Sequence, residues 1–176
     1  MKRKTALIAG IIAAIAVGAL VQAVFSAGKE GSAGFIGPGV LIADINLLLQ
    51  LLLLCGLTIG YYLARSGNVE AHRVNQTVCV LVNTALIIAV MLPSMQDVKL
   101  ESVAELGDLR IGITWLHAAI GTFISLAGLW LILQMNDVLP ARVHIRAWKT
   151  LMRLTLAGYW AVALLGLGTY YYWYAG

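Results

Sequence analysis

The chain has 176 residues, of which 61% are hydrophobic and 11% are Asp, Glu, Lys or Arg. A soluble domain carries about 45–50% apolar and roughly 25% charged residues, so a water-soluble globule is excluded. The net charge of +4 does not signal nucleic-acid binding, because the basic residues flank apolar runs and form no single patch.

A membrane helix needs about 20 mostly apolar residues. Five stretches qualify: Thr5–Phe25, Val40–Leu63, Gln76–Met95, Ile111–Met135 and Thr150–Trp173. The expectation is an all-α, polytopic transmembrane helix bundle. Residues 1–39 form an N-terminal anchor helix with an outer Gly-rich loop, and residues 40–176 form a four-helix membrane bundle. The first run follows Met-Lys-Arg-Lys and exceeds the roughly 7–15-residue core of a signal peptide, which favours an uncleaved anchor.

Between the first two spans, Ser26 to Gly39 is Gly-rich and reads as flexible. Gly67 is placed to end the second span, and Asn68 to cap a helix that runs through His72 into the third. The segment from Gln96 to Arg110 is polar and mildly amphipathic. It reads either as a short helix at the interface or as a solvated loop. Pro140 breaks the chain after the fourth span, and a fifth helix is expected from near Ala141.

Lys and Arg then set the orientation. With the N-terminus inside, Lys2, Arg3, Lys4, Arg65, Arg73, Arg142, Arg146, Lys149 and Arg153 are inner, whereas Lys29, Lys99 and Arg110 are outer. That bias predicts a cytoplasmic N-terminus and an external C-terminus. The final Tyr170-Tyr-Tyr-Trp-Tyr174 and Trp115 read as interfacial anchors in contact with membrane lipids.

Polar residues inside membrane spans are where function is sought. In the fourth span His117, Gly121, Ser125 and Gly128 share one helix face, which should point into the bundle. His117 is then a functional candidate, or else hydrogen-bonds Asn46, Gln50 or Asp44. Asn46, Gln50 and Asn83 should face inward too, lining a polar cavity or joining helices. Cys55 and Cys79 form no CxxC and are expected as buried free thiols.

His72 and His144 lie 72 positions apart, as do Gly56 and Gly128, a weak internal duplication of a helix-loop-helix unit. Both histidines are expected at inner helix ends beside Arg73 and Arg146. Imidazoles at one depth on different helices suit haem, with the arginines meeting its propionates, or copper or zinc. The plainer alternative is contact with lipid phosphates. A second copper set, His117 with Met91 and Met95, is placed near the outer end. No Ser-His-Asp set, HExxH or phosphate-binding Gly loop is present, so neither hydrolysis nor nucleotide chemistry is supported.

From about Leu57 to Tyr174 the chain resembles the YozB/CtaM family of small bacterial membrane proteins. The likeness rests on His72-Arg73 after a basic Gly-containing loop, Leu116-His117, His144 in a basic loop, and Trp160, Gly166 or Gly168, and Tyr170 in the final helix. Gln76 stands where the family carries methionine, and Ile145 separates His144 from Arg146. The resemblance implies a role in maturing haem-copper terminal oxidases in the bacterial cytoplasmic membrane, with His72, His117 and His144 at the family's histidine positions. The alternatives are a b-type cytochrome or quinol-linked electron-transfer subunit, and a structural accessory subunit of a respiratory or photosynthetic complex.

Overall fold

Apolar length decides the architecture. A computed structural model describes residues 3–95, 98, 100 and 102–174, with only the backbone of Arg3. Among them five helices are long and apolar enough to cross a membrane: α1 (Arg3–Ser26), α2 (Leu41–Arg65), α3 (Val69–Met95), α4 (Leu109–Met135) and α5 (Trp148–Tyr174). The fold is all-α. Helices α2 to α5 form a ring in which α3 touches α2 and α4, and α5 touches α4 and α2, while α1 lies against α3. Two ends result. The basic end holds Lys4, Arg65 and the α2–α3 and α4–α5 loops. The opposite end, called here the Asp44 end, holds the α1–α2 and α3–α4 loops and the close of α5.

The bundle is apolar outside as well as inside, and its polar side chains are gathered in the interior. Ile11, Ile12 and Ile15 of α1, Leu52 of α2 and Phe123 of α4 face outward, while Asp44, His72, Thr77, Asn83, Ser125, Asn136 and Thr155 are buried. That distribution suits a hydrocarbon surround, where an exposed polar group loses its hydrogen bonds and an exposed leucine loses nothing.

Glycine sets how closely the helices meet. A Cβ on Gly10 of α1 would come to 2.7 Å from Leu81 of α3, and one on Gly56 of α2 to 2.8 Å from the Cys79 sulfur. In α3 the α-helical repeat widens to a π turn over Ile87–Met91, and the Leu92 N–H donates to the Ile87 carbonyl. Pro93 follows. Its ring conflicts with the carbonyl four residues back, and the wider turn relieves that crowding.

Several expectations are corrected. The helix of the third span begins at Val69, ahead of the apolar run from Gln76, and Asn68 caps it as expected by accepting the Ala71 N–H at 3.2 Å. Gly67, at φ +84°, ends α2 as expected. Pro140 starts only a 3-10 turn, Ala141–Val143, and α5 begins at Trp148. His144 therefore caps that short turn in the loop and does not stand at the inner end of α5. Cys55 is exposed, and only Cys79 is a buried thiol. In the α3–α4 segment a 3-10 turn covers Val103–Gly107; Gln96, Asp97, Lys99 and Glu101 lie outside the described residues, as do Met1 and Lys2.

The segment expected to be flexible between α1 and α2 is folded. Ala33 and Val40 form an antiparallel bridge, and the Gly34 N–H donates to the Gly39 carbonyl at 2.8 Å. The cause is Asp44, in the first turn of α2.

Candidate functional site

The interior polar groups form three clusters. At the basic end, α3 presents His72, Asn75 and Gln76 to the backbone of α2. His72 Nδ1–H donates to the Gly60 carbonyl at 2.7 Å, Asn75 Nδ2 to Gly56 at 2.7 Å, and Gln76 Nε2 to Leu57 at 2.9 Å. These carbonyls are within reach because Gly56 and Gly60 bring no side chain into the seam; a Cβ on Gly60 would collide with Gln76 and Asn75. The Gly-x-x-x-Gly spacing in α2 is the sequence signal that goes with this close approach. Gln76 is thus one of the three donors.

Near mid-bundle, Asn83 of α3 donates to Ser125 of α4 at 3.3 Å. The Tyr159 hydroxyl of α5 lies at the same level against Gly128, whose Cβ would approach it to 2.6 Å. Closer to the basic end, Asn136 donates to Thr77 at 2.9 Å. The inward face expected for Gly121, Ser125 and Gly128 is present, and Asn83 is buried as expected.

At the opposite end Asp44 is fully buried. One carboxylate oxygen accepts the N–H groups of Phe35 and Ile36, at 2.5 and 2.6 Å, and the other accepts the Tyr170 hydroxyl. Gly34 and Gly39 make room, since a Cβ on either would run into Asp44 or the Tyr170 hydroxyl. The Asp44 cluster joins the loop, α2 and α5. It entered the sequence reading only as a possible partner of His117.

His117 takes a different partner. Its Nδ1–H donates to the Val162 carbonyl of α5 at 3.0 Å, across Gly166, and not to Asn46, Gln50 or Asp44. Asn46 Oδ1 and Gln50 Nε2 are buried without a hydrogen-bond partner among the described residues. His144 Nε2–H donates to the Leu139 carbonyl at 3.0 Å, within its own loop. That loop is tied to α4 twice by Gln134, which donates to the Ile145 carbonyl at 3.2 Å and accepts the Ile145 N–H at 2.9 Å.

The three histidines thus sit in three places. His72 is 8% exposed between α2 and α3, and His144 lies half-buried in the α4–α5 loop. His117 starts the third turn of α4 from the Asp44 end, which at about 1.5 Å per residue is on the order of 25 Å from the other end of that helix. Met91 lies in the π turn and Met95 closes α3. Arg146 is exposed. Among the described residues no three or more His, Cys, Asp and Glu side chains gather into a metal-holding group. What each histidine offers is one ring nitrogen, the other being committed to a carbonyl.

Among the described residues, the fold and site define an all-α bundle with five membrane-length helices and an apolar interior that holds a few buried polar clusters at glycine contacts. Comparison with protein-family models, curated proteins and solved structures gives no match.

Proposed function

We propose that the chain is an integral protein of the bacterial cytoplasmic membrane, N-terminus inside, that assists maturation of a haem-copper terminal oxidase by transient contact of its histidines with haem or copper. One observation carries this reading. His72, His117 and His144 each donate one ring N–H to a backbone carbonyl, which fixes the tautomer and leaves a lone pair on the other nitrogen. A carbonyl-oriented imidazole is the form in which histidine ligates iron or copper. Haem or copper would supply the cargo chemistry. The chain's own part is to hold each imidazole in one orientation, with Arg73 beside His72 and Arg146 beside His144 as cations for propionate or phosphate.

The same bonds favour a second reading. His72–Gly60 and His117–Val162 each join two helices, as they would in a structural accessory subunit of a respiratory complex.

Deletion of the gene separates the two. Maturation predicts an oxidase that is made but lacks haem or copper, with failed rescue by an H72A/H117A/H144A chain. A structural subunit predicts loss of the complex and rescue by that chain wherever it folds. An absorption spectrum of the purified protein adds a third outcome. A stoichiometric Soret band lost on His72→Ala or His144→Ala would replace both readings with a resident b-type cytochrome.

A further inference from the structure

At the basic end, α4 and α5 leave a cleft beneath the loop that joins them. Its walls include Met135 of α4, Met152 and Trp148 of α5, and His144 of the loop, with Asp137 at the rim. Trp148 and Met152 are four apart on one helix and so share a face. Asp137 adopts φ 54°, turning the chain back after α4, and the pair of hydrogen bonds between Gln134 and Ile145 fixes the loop over the cleft. His144 donates Nε2–H to Leu139, so its Nδ1 carries the lone pair.

We infer that this cleft is a Cu(I) site, with the thioethers of Met135 and Met152 and Nδ1 of His144 as ligands. Two thioethers and an imidazole form a soft, neutral donor set that suits Cu(I) and gives little to Mg or Ca. The inference rests on the copper branch of the proposed function, but it moves the ligands away from His72 and from His117, Met91 and Met95. Sequence spacing did not bring Met135 and Met152 together, because only the returning loop places them in one cleft with a histidine.

The test is anaerobic titration of the detergent-purified chain with tetrakis(acetonitrile)copper(I), competed by bicinchoninate, while tryptophan emission is followed. One equivalent should bind and quench part of the emission. Trp148→Phe should remove that quench and keep the stoichiometry. The volume-conserving M135L/M152L chain, and separately His144→Ala, should weaken binding by at least about tenfold, with unchanged helical circular dichroism showing that the fold persists. Wild-type affinity in M135L/M152L, a quench that survives Trp148→Phe, or binding lost instead in M91L/M95L would overturn the site. Binding at the cleft together with a fully loaded oxidase in the deletion strain would leave the site standing and remove the maturation role. The reverse pattern would do the opposite.

Discussion

Gly60 shows how much one missing side chain decides. Its bare Cα lets His72 reach the Gly60 carbonyl and brings Asn75 and Gln76 within reach of the carbonyls of Gly56 and Leu57. A methyl group at that point would overlap the Asn75 and Gln76 amides. If those amides swing away, their N–H groups lose the Gly56 and Leu57 carbonyls as acceptors, which costs most where water is scarce. Gly60→Ala should therefore destabilise the bundle by about 1–3 kcal/mol, the usual range for overpacking, read as a lowered denaturation midpoint in detergent. Gly18, also helical, meets nothing within 4 Å. Gly18→Ala should be neutral or gain up to about 1 kcal/mol from reduced backbone entropy. Equal effects at the two glycines would mean that the α2–α3 seam is not set by backbone approach. The four-residue spacing of Gly56 and Gly60 carried the signal for this seam, but the sequence reading used Gly56 only in the internal repeat and passed over Gly60. Asp44 was not legible as a hub, since its Tyr170 partner is 126 residues away and its backbone donors lie in a segment whose glycines suggest freedom.

At the scale of elements, two loops are shaped by a single side chain reaching out of a helix. Asp44→Ala would leave the Phe35 and Ile36 N–H groups and the Tyr170 hydroxyl without their acceptor. Hydrogen bonds to a charged group contribute about 1.5–3 kcal/mol each, so the α1–α2 loop should lose its fold before the bundle does. Faster amide exchange and new proteolytic cleavage between Ala27 and Val40, with helix content unchanged, are the expected readings. Gln134→Ala should act likewise on the α4–α5 loop, freeing residues 141–147 to exchange and leaving α4 intact. These two contacts explain where sequence reading fell short. Helix existence was plain because a run of some twenty apolar residues has few alternatives to a helix in lipid. The start of α5 was not, because the proline rule locates a break but not the Gln134 tether that holds residues beyond the break out of the helix. The same tether holds His144 in the loop, short of the helix end expected for it, whereas His72 lies within α3, and so the match that a duplicated unit would require is weakened.

For the whole molecule the polarity of the two ends carries the argument. Lys4, Arg65, Arg73, Arg142, Arg146, Lys149 and Arg153 share one end, whereas Lys29 and Arg110 are the described cations of the other. Arg110 lies over the Trp173 ring, 5.4 Å from its centroid, and Trp173 donates to Thr114 at 2.9 Å, so that cation belongs to an aromatic interface. Insertion keeps Lys and Arg on the cytoplasmic side when they lie in short loops next to spans, and the α2–α3 and α4–α5 loops are both short. The basic end should therefore face the cytoplasm. Cysteine placed at exposed Ser32 or at exposed Arg142, in a C55S/C79S chain, reads this directly. A membrane-impermeant maleimide added to intact cells should label S32C and spare R142C, and permeabilisation should expose R142C to it. The opposite pattern would turn the bundle over. His144 and the Met135–Met152 cleft would then open away from the reducing cytoplasm in which Cu(I) is maintained, and the copper reading would lose its source of metal along with its orientation.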